Sequence, residues 1–326
     1  MKTLTNIMES VTPLYESILT DTKTRVTDVK KDIIRSSREL VIEYINKNYI
    51  GYVTVSKVPN KDGFYEVESS DKLTIKPECK EIAPGFVFKY ISHFVIRGNK
   101  NIKTLHGIPK SCRYLELEDL NLTNLDGLNT CTNERGFSLW ITRCHKLKNM
   151  MGADKALLDG LYIKECNGIV DLTGLWSDYK LTDPFRNMTQ CNLSVVDCPK
   201  FKSLEGAGRL EDIRIRNCPM FVSLRGVDNR WKSWNLDIRN CPKLKSLDGC
   251  PSVRRVYIDG CKSLSDVKGM NLYDAQYATV ELWNCPKLKS LEGVPSVHDL
   301  FLSKEDWTEE EVRKTYKEFC PNIYIR

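Results

Sequence analysis

One unit recurs along this chain and leaves little freedom in how it folds: Leu236-x-Ile238-x-x-Cys241-Pro-x-Leu244-x-x-Leu247-x-Gly249. The same offsets hold at Leu139-x-Ile141…Cys144…Leu147…Met150…Gly152, Leu161-x-Ile163…Cys166…Ile169…Leu172…Gly174 and Leu193-x-Val195…Cys198…Phe201…Leu204…Gly206. They return in shorter form at Ile213-x-Ile215…Cys218, Val256-x-Ile258…Cys261 and Val280-x-Leu282…Cys285. Upstream, Phe94-x-Ile96…Asn99…Ile102…Leu105…Gly107 carries Asn in the Cys slot, and Leu115-x-Leu117…Leu120 has one residue deleted before Gly127. From Cys198 onward the steps are 20, 23, 20 and 24 residues, a period that belongs to stacked repeats rather than to one central core.

The unit explains itself physically. Leu236 and Ile238 point inward and Asp237 outward, as in a half-buried strand, and successive strands stack into a parallel sheet along a solenoid. A free Cys is a small hydrophobe with a weak donor and suits a tight interior column. Pro199, Pro219, Pro242 and Pro286 are expected to end each strand by removing the next donor. Leu244 and Leu247 fill the arc, and Gly249 supplies a backbone conformation closed to other residues.

The pattern L-x-L-x-x-C/N-x-x-L over residues of about 93 to 305 resembles the leucine-rich repeat family in its cysteine-bearing variant. NCPKLKSLDGCPSV is similar to repeats of plant disease-resistance receptors. The stretches Glu16 to Lys23, Ser56 to Lys76 and Lys289 to Val297 resemble repeat proteins of tailed bacteriophages, especially those of gut bacteria. The resemblance implies an α/β leucine-rich repeat solenoid, with a parallel β-sheet on its concave face and irregular or short helical arcs. It also implies that the Cys or Asn slots form a buried column.

A small α+β N-terminal cap is expected, because one repeat cannot cover its own apolar edge. Residues 1–49 hold a leader and an amphipathic helix, Val29 to Asn48, whose basic side carries Lys30, Lys31, Arg35 and Arg38. Residues 50–92 form a small β cap: a hairpin turning at Asn60-Lys61-Asp62-Gly63 and a third strand near Leu73 to Lys76. About nine repeats occupy 93–305, and 306–326 form a C-terminal cap with a helix opened by Thr308 or Asp306 and a strand from Asn322 to Ile325.

The 326 residues, 41% hydrophobic and 28% charged with a net charge of +6, describe a soluble globular chain without the dense basic footprint of a dedicated nucleic-acid binder. No secretory signal or membrane-length apolar run is recognised, which points to the cytoplasm, that of a host cell or the virion if the chain is phage-encoded. Thirteen cysteines, an odd number without any Cys-x-x-Cys, read as free thiols in packing roles rather than as disulfides or zinc ligands. No phosphate loop, His-Glu-x-x-His or Gly-x-Ser-x-Gly motif occurs, and His93, His106, His145 and His298 stand alone. The chain therefore reads as non-enzymatic, with no catalytic residue, metal or cofactor expected.

The residues between and just after the inward pair of each strand form the exposed sheet face. Trp140, Tyr162, Tyr257, Trp283 and Phe301 flank a basic centre of Arg214, Arg216 and Arg239, with Lys164 alongside. Aromatics and arginines dominate protein interfaces, so this face is the candidate site for a protein partner; equally, large side chains shield any open sheet. An insertion carrying Trp176, Tyr179, Phe185 and Arg186 is a second candidate, unless its aromatics only pack a longer arc. Membrane contact is not expected, and nucleic acid and small molecules are disfavoured. The alternative readings are nucleic-acid or phosphate binding through the central arginines, opposed by the acids on the same face, and structural particle cargo with no specific ligand.

Overall fold

The computed structural model describes residues 37–133, 136–175, 191–228 and 232–326. Trp176, Tyr179, Phe185 and Arg186 of the insertion, the leader, and the expected helix before residue 37 lie outside them. Helix α1 (Arg38–Asn48) leads through β1 (Tyr49–Ile50) and β2 (Thr54–Val55) to β3 (Glu66–Ile75). A parallel ladder then follows: β4 (Val87–Arg97), β5 (Tyr114–Glu118), β6 (Phe137–Thr142), β7 (Leu158–Lys164), β8 (Cys191–Val196), β9 (Leu210–Arg216), β10 (Lys232–Arg239) and β11 (Ser252–Asp259). It continues through β13 (Thr279–Trp283), β14 (Asp299–Leu302) and, after α2 (Glu309–Thr315), β15 (Asn322–Ile325), with the short β12 (Asn271–Leu272) beside β11. From β3 to β11 each strand pairs with the next in sequence, and β11, β13, β14 and β15 continue the ladder, so the described chain is a solenoid with a mostly parallel sheet and few helices.

The register is the one the repeat implies. Ile213, Leu236, Val256, Val280 and Leu300 lie side by side, as do Ile215, Ile238, Ile258, Leu282 and Leu302, and all are buried together with Cys241, Leu244 and Leu247. Each large side chain so buried contributes about 1.5–3 kcal/mol relative to exposure.

Two corners turn each repeat. At the first, the residue before the Cys slot is left-handed at Gly98, Asp119, Arg143, Glu165, Asp197, Asn217, Asn240, Gly260 and Asn284; Gly, Asn and Asp tolerate that conformation best. The Cys slot then opens a tight turn, Leu244 N–H donating to the Cys241 carbonyl at 3.2 Å. Pro242 thus sits at the second position of a turn, where its fixed φ is favourable. Strand β10 has already ended at Arg239, so proline shapes the turn rather than stopping the strand.

At the second corner, Cys250 N–H donates to Leu247 O at 2.9 Å across Gly249, whose φ is 82, the geometry of a type II turn that requires glycine third. The preceding turn also lies close: a Cβ added at Gly226 would come within 2.1 Å of Leu204 O. Ser246 completes the phrase Ser-Leu-Asp-Gly by accepting from Asp248 N–H at 3.4 Å.

The ends differ from the middle. β2 and β3 pair antiparallel around the Asn60–Gly63 turn, and β3 is one continuous strand rather than the two the sequence suggests. Irregularities between Ser69 and Lys72 break its alternation. Its Leu73 and Ile75 stand in register with Phe94 and Ile96, so the parallel sheet begins one strand before the recognisable repeats. Tyr44, Tyr49, Phe86, Phe88 and Phe94 pack there as an aromatic cluster with ring centroids 5.1–6.5 Å apart. At the other end Thr308 and Glu311 form a capping box, while Asp306 accepts from Cys285 N–H at 2.6 Å.

Candidate interaction surface

Pairing fixes the exposed face as a column: Glu116, Trp140, Tyr162, Ser194, Arg214, Asp237, Tyr257, Glu281, Phe301 and Tyr324, one residue per strand. A second column two residues on holds Glu118, Thr142, Lys164, Val196, Arg216, Arg239, Asp259 and Trp283. Two positions expected on this face are buried instead, Val95 at 1% exposure and Ser303 at 1%. Ser303 Oγ turns to Glu305, at 2.9 Å.

Three chemistries occupy the columns. Toward the N-terminal end, Glu116 accepts from His93 Nε2 at 2.9 Å and lies 3.7 Å from Lys72 and 3.6 Å from Arg97. Glu118 is held by Arg97 and Arg143. Beside them Trp140 and Tyr162 stack at 4.1 Å, and Trp140 is 43% exposed. Gly160 makes room for Tyr162, because a Cβ there would lie 2.6 Å from its ring.

At the centre three arginines converge on Asp237. Arg239 Nε donates to it at 2.8 Å, Arg216 holds its other oxygen, and Arg214 Nε lies 3.7 Å away. Burial would raise the Asp237 carboxyl, but the bonds from Arg239 and Arg216 prevail and hold it below the usual carboxylate range. The Arg239 guanidinium also lies 4.0 Å over the Tyr257 ring. Around this knot is a hollow of about 350 Å³, with Tyr162, Tyr257, Arg214, Arg255, Asp212 and Glu281 among its lining residues. Its cations and carboxylates balance, and Arg216 and Arg239 are already engaged.

Toward the C-terminal end, Trp283 Nε1 donates to Glu281 at 3.2 Å, and Phe301 stacks on Tyr324 at 4.6 Å with Arg326 over both rings. Tyr324 falls outside the repeat spacing and is visible only once β15 pairs with β14. Lys164 stands at the edge with Glu165 3.2 Å away.

A further aromatic group was not signalled by the motif. Arg254 lies between the rings of Trp234 and Tyr277, at 5.7 and 5.0 Å, and Lys232 lies 4.9 Å over Tyr273. The available clue is length, since Lys232, Trp234, Tyr273 and Tyr277 fall in the 23- and 24-residue steps that flank the 20-residue step of Arg254.

The described cysteines are all unpaired, and all but Cys320 are buried. Cys241 Sγ reaches the carbonyls of Ile215 at 3.9 Å and Arg239 at 3.5 Å. Asn99 does more in the same slot, donating to Lys76 O and Cys79 O and accepting from Ile102 N–H. Burial pushes the Cys144 and Cys218 thiols up to about 11 and those of Cys166, Cys241 and Cys261 up to about 12, so these stay protonated packing groups at neutral pH. Among the described residues no group of three or more His, Cys, Asp or Glu side chains is placed to hold a metal ion, and no helix is long and apolar enough to cross a membrane. No family model, curated protein or solved structure matches the chain.

Proposed function

We propose that the chain is a leucine-rich repeat protein, closed at one end by the α1–β3 unit, and that its exposed sheet face recognises a protein partner. The observation that carries this reading is the face itself: the Trp140–Tyr162 and Phe301–Tyr324 stacks flank a hollow in which Asp237 is held by arginines, Asp212 by Asn235 and Glu281 by Trp283. Rigid aromatics around preorganised charges supply contact area at low entropic cost and select for complementary charge in a partner. The Asp237 knot disfavours the phosphate-binding alternative at this face, since two of its three arginines are already committed to a carboxylate.

Site-specific photocrosslinking tests the proposal. Crosslinkers at Trp140, Arg214 and Phe301, with one at exposed Glu292 on the opposite corner as control, are compared in the same lysate. One protein captured from all three face positions and not from Glu292 supports recognition by the face. Identical background from all four favours the cargo reading. The design leaves Arg216 and Arg239 in place, because removing them would leave Asp237 without its partners.

A further inference from the structure

The phrase Cys-Pro-Lys-Leu-Lys has one feature that neither packing nor the sheet face uses. Lys-x-Lys pairs begin at Lys146, Lys200, Lys243 and Lys287, each flanking a buried residue, so both lysines of each pair are exposed on the flank just past the first corner. Backbone bonds stack this segment from turn to turn: Val170 N–H donates to Lys148 O, Lys202 to Val170 O and Val222 to Lys202 O, at 2.8–3.3 Å. The pairs fall on alternate strands, β6, β8, β10 and β13. At about 4.8 Å per strand they recur every ~10 Å along a row of about 29 Å.

The row is one sign of charge. In the four residues after each Cys or Asn slot from Asn99 to Cys285 there is no Asp or Glu. None of the eight paired lysines makes an ion pair within 4 Å among the described residues, although, after the bonds from Thr308, Lys289 lies near enough to help hold the Glu311 carboxyl down; Lys243 Nζ meets Met220 Sδ, at 2.9 Å. The nearest acids in sequence stand three residues from the pairs, Asp197 before Lys200 and Glu205, Asp248 and Glu292 after Lys202, Lys245 and Lys289; Asp197 accepts from Asn217 and Asp248 pairs with Arg225. In a chain whose net charge is only +6, this is a cationic strip four residues wide, bordered by acids at the corners on either side.

We infer that this flank docks, without sequence preference, on the phosphodiester backbone of double-stranded nucleic acid. Charge complementarity requires a polyanion, and the length of the row is close to one duplex turn. Lysine provides hydrated point charges on flexible stems that adapt to phosphates without a fixed fork. The row has no exposed Phe, Tyr or Trp on which unpaired bases could stack, Phe201 and Phe221 being fully buried, and its intervening side chains, such as Val170 and Val222, are too small to anchor in a bilayer.

The test is fluorescence anisotropy of the full chain with a labelled 30-base-pair duplex of arbitrary sequence between 50 and 300 mM salt. Six phosphate contacts would give a log–log salt slope of about −5. Changing Lys200, Lys202, Lys243 and Lys245 to Glu should weaken binding about 100-fold at low salt, while Arg214→Glu on the sheet face should leave the duplex affinity within about twofold. If the reversal fails to fold, the same four changed to Gln should still reduce affinity and flatten the slope. No binding at 50 mM salt, binding that survives the lysine changes, or equal binding to phosphatidylserine vesicles or polyglutamate would each overturn the inference. Because the Arg214→Glu control reports on the face and the lysine variants on the flank, either reading can fail without the other.

Discussion

The corner that follows each strand and the exposed face of that strand are only a residue or two apart, yet opposite constraints govern them. At the corner, backbone conformation, a buried thiol and the neighbouring turn restrict each position. From Asn217 to Asn240 to Asn284 the same residue type returns in the same left-handed state. On the face, Arg214, Asp237, Tyr257 and Glu281 succeed one another in a single column with no repetition. The array is propagated by its corners and individualised by its face, so substitutions at the corners should cost stability and those on the face mainly recognition.

The largest effect is expected where packing and stacking of turns coincide. Phe221 is fully buried, 5.9 Å from the parallel ring of Phe201, and Phe221→Ala should destabilise by roughly 3–5 kcal/mol. Gly226→Ala comes next: at φ 116, with Leu204 O in the path of the new Cβ, it should cost roughly 2–4 kcal/mol. Urea unfolding measures both. A Trp140→Ala variant as costly as Gly226→Ala would break the distinction between corner and face.

This division also explains what could be read from sequence. Periodicity gave away the inward positions Leu236, Ile238, Leu244 and Leu247, because identical environments select similar residues in every turn. The left-handed residue is not legible in the sequence: the slot holds Gly98, Asp119, Arg143 and Glu165 as well as Asn240, and so mixed a column hides its shared conformation. On the face, alternation gave the outward direction but not pairing. Asp237 and its three arginines come from strands β9 and β10, more than 20 residues apart in part, and appear together only when the register is known. Val95, a β-branched apolar residue at an outward position, is covered where β3 and β4 meet the start of the array.

The Asp237 knot tests the comparison through pH. Its carboxyl is held below the ordinary range in the folded chain, so the stabilisation it gives is complete above the unfolded value of about 3.9 and is lost as pH falls through the lower folded value. Asp237→Asn should therefore cost about 1 kcal/mol at pH 7, with the gap to the wild type closing as pH falls below the unfolded value of about 3.9. Paired urea midpoints across that range check this. A gap independent of pH would mean that shape, not charge, holds the arginines.

The smallest effect should have the opposite sign. Arg143 and Glu165 occupy the left-handed corner without being Gly, Asn or Asp, a conformation that disfavours an ordinary side chain by about 1–2 kcal/mol. They lie beside each other on adjacent turns, 3.7 Å apart, and Arg143 also holds Glu118 of the face. Here the residue type serves the face while the backbone obeys the corner, and the two rules conflict. Glu165→Asn should relieve part of the strain and sacrifice only solvent-exposed pairs, those with Arg143 and Lys164, raising stability by about half a kcal/mol. Arg143→Asn, which also leaves the half-buried Glu118 with Arg97 alone, should gain less or nothing. Thermal unfolding of the two variants side by side decides it: a gain at Glu165 that exceeds the gain at Arg143 locates the retained strain at the position tied to the face, whereas equal losses at both would show that the ion pairs outweigh the backbone.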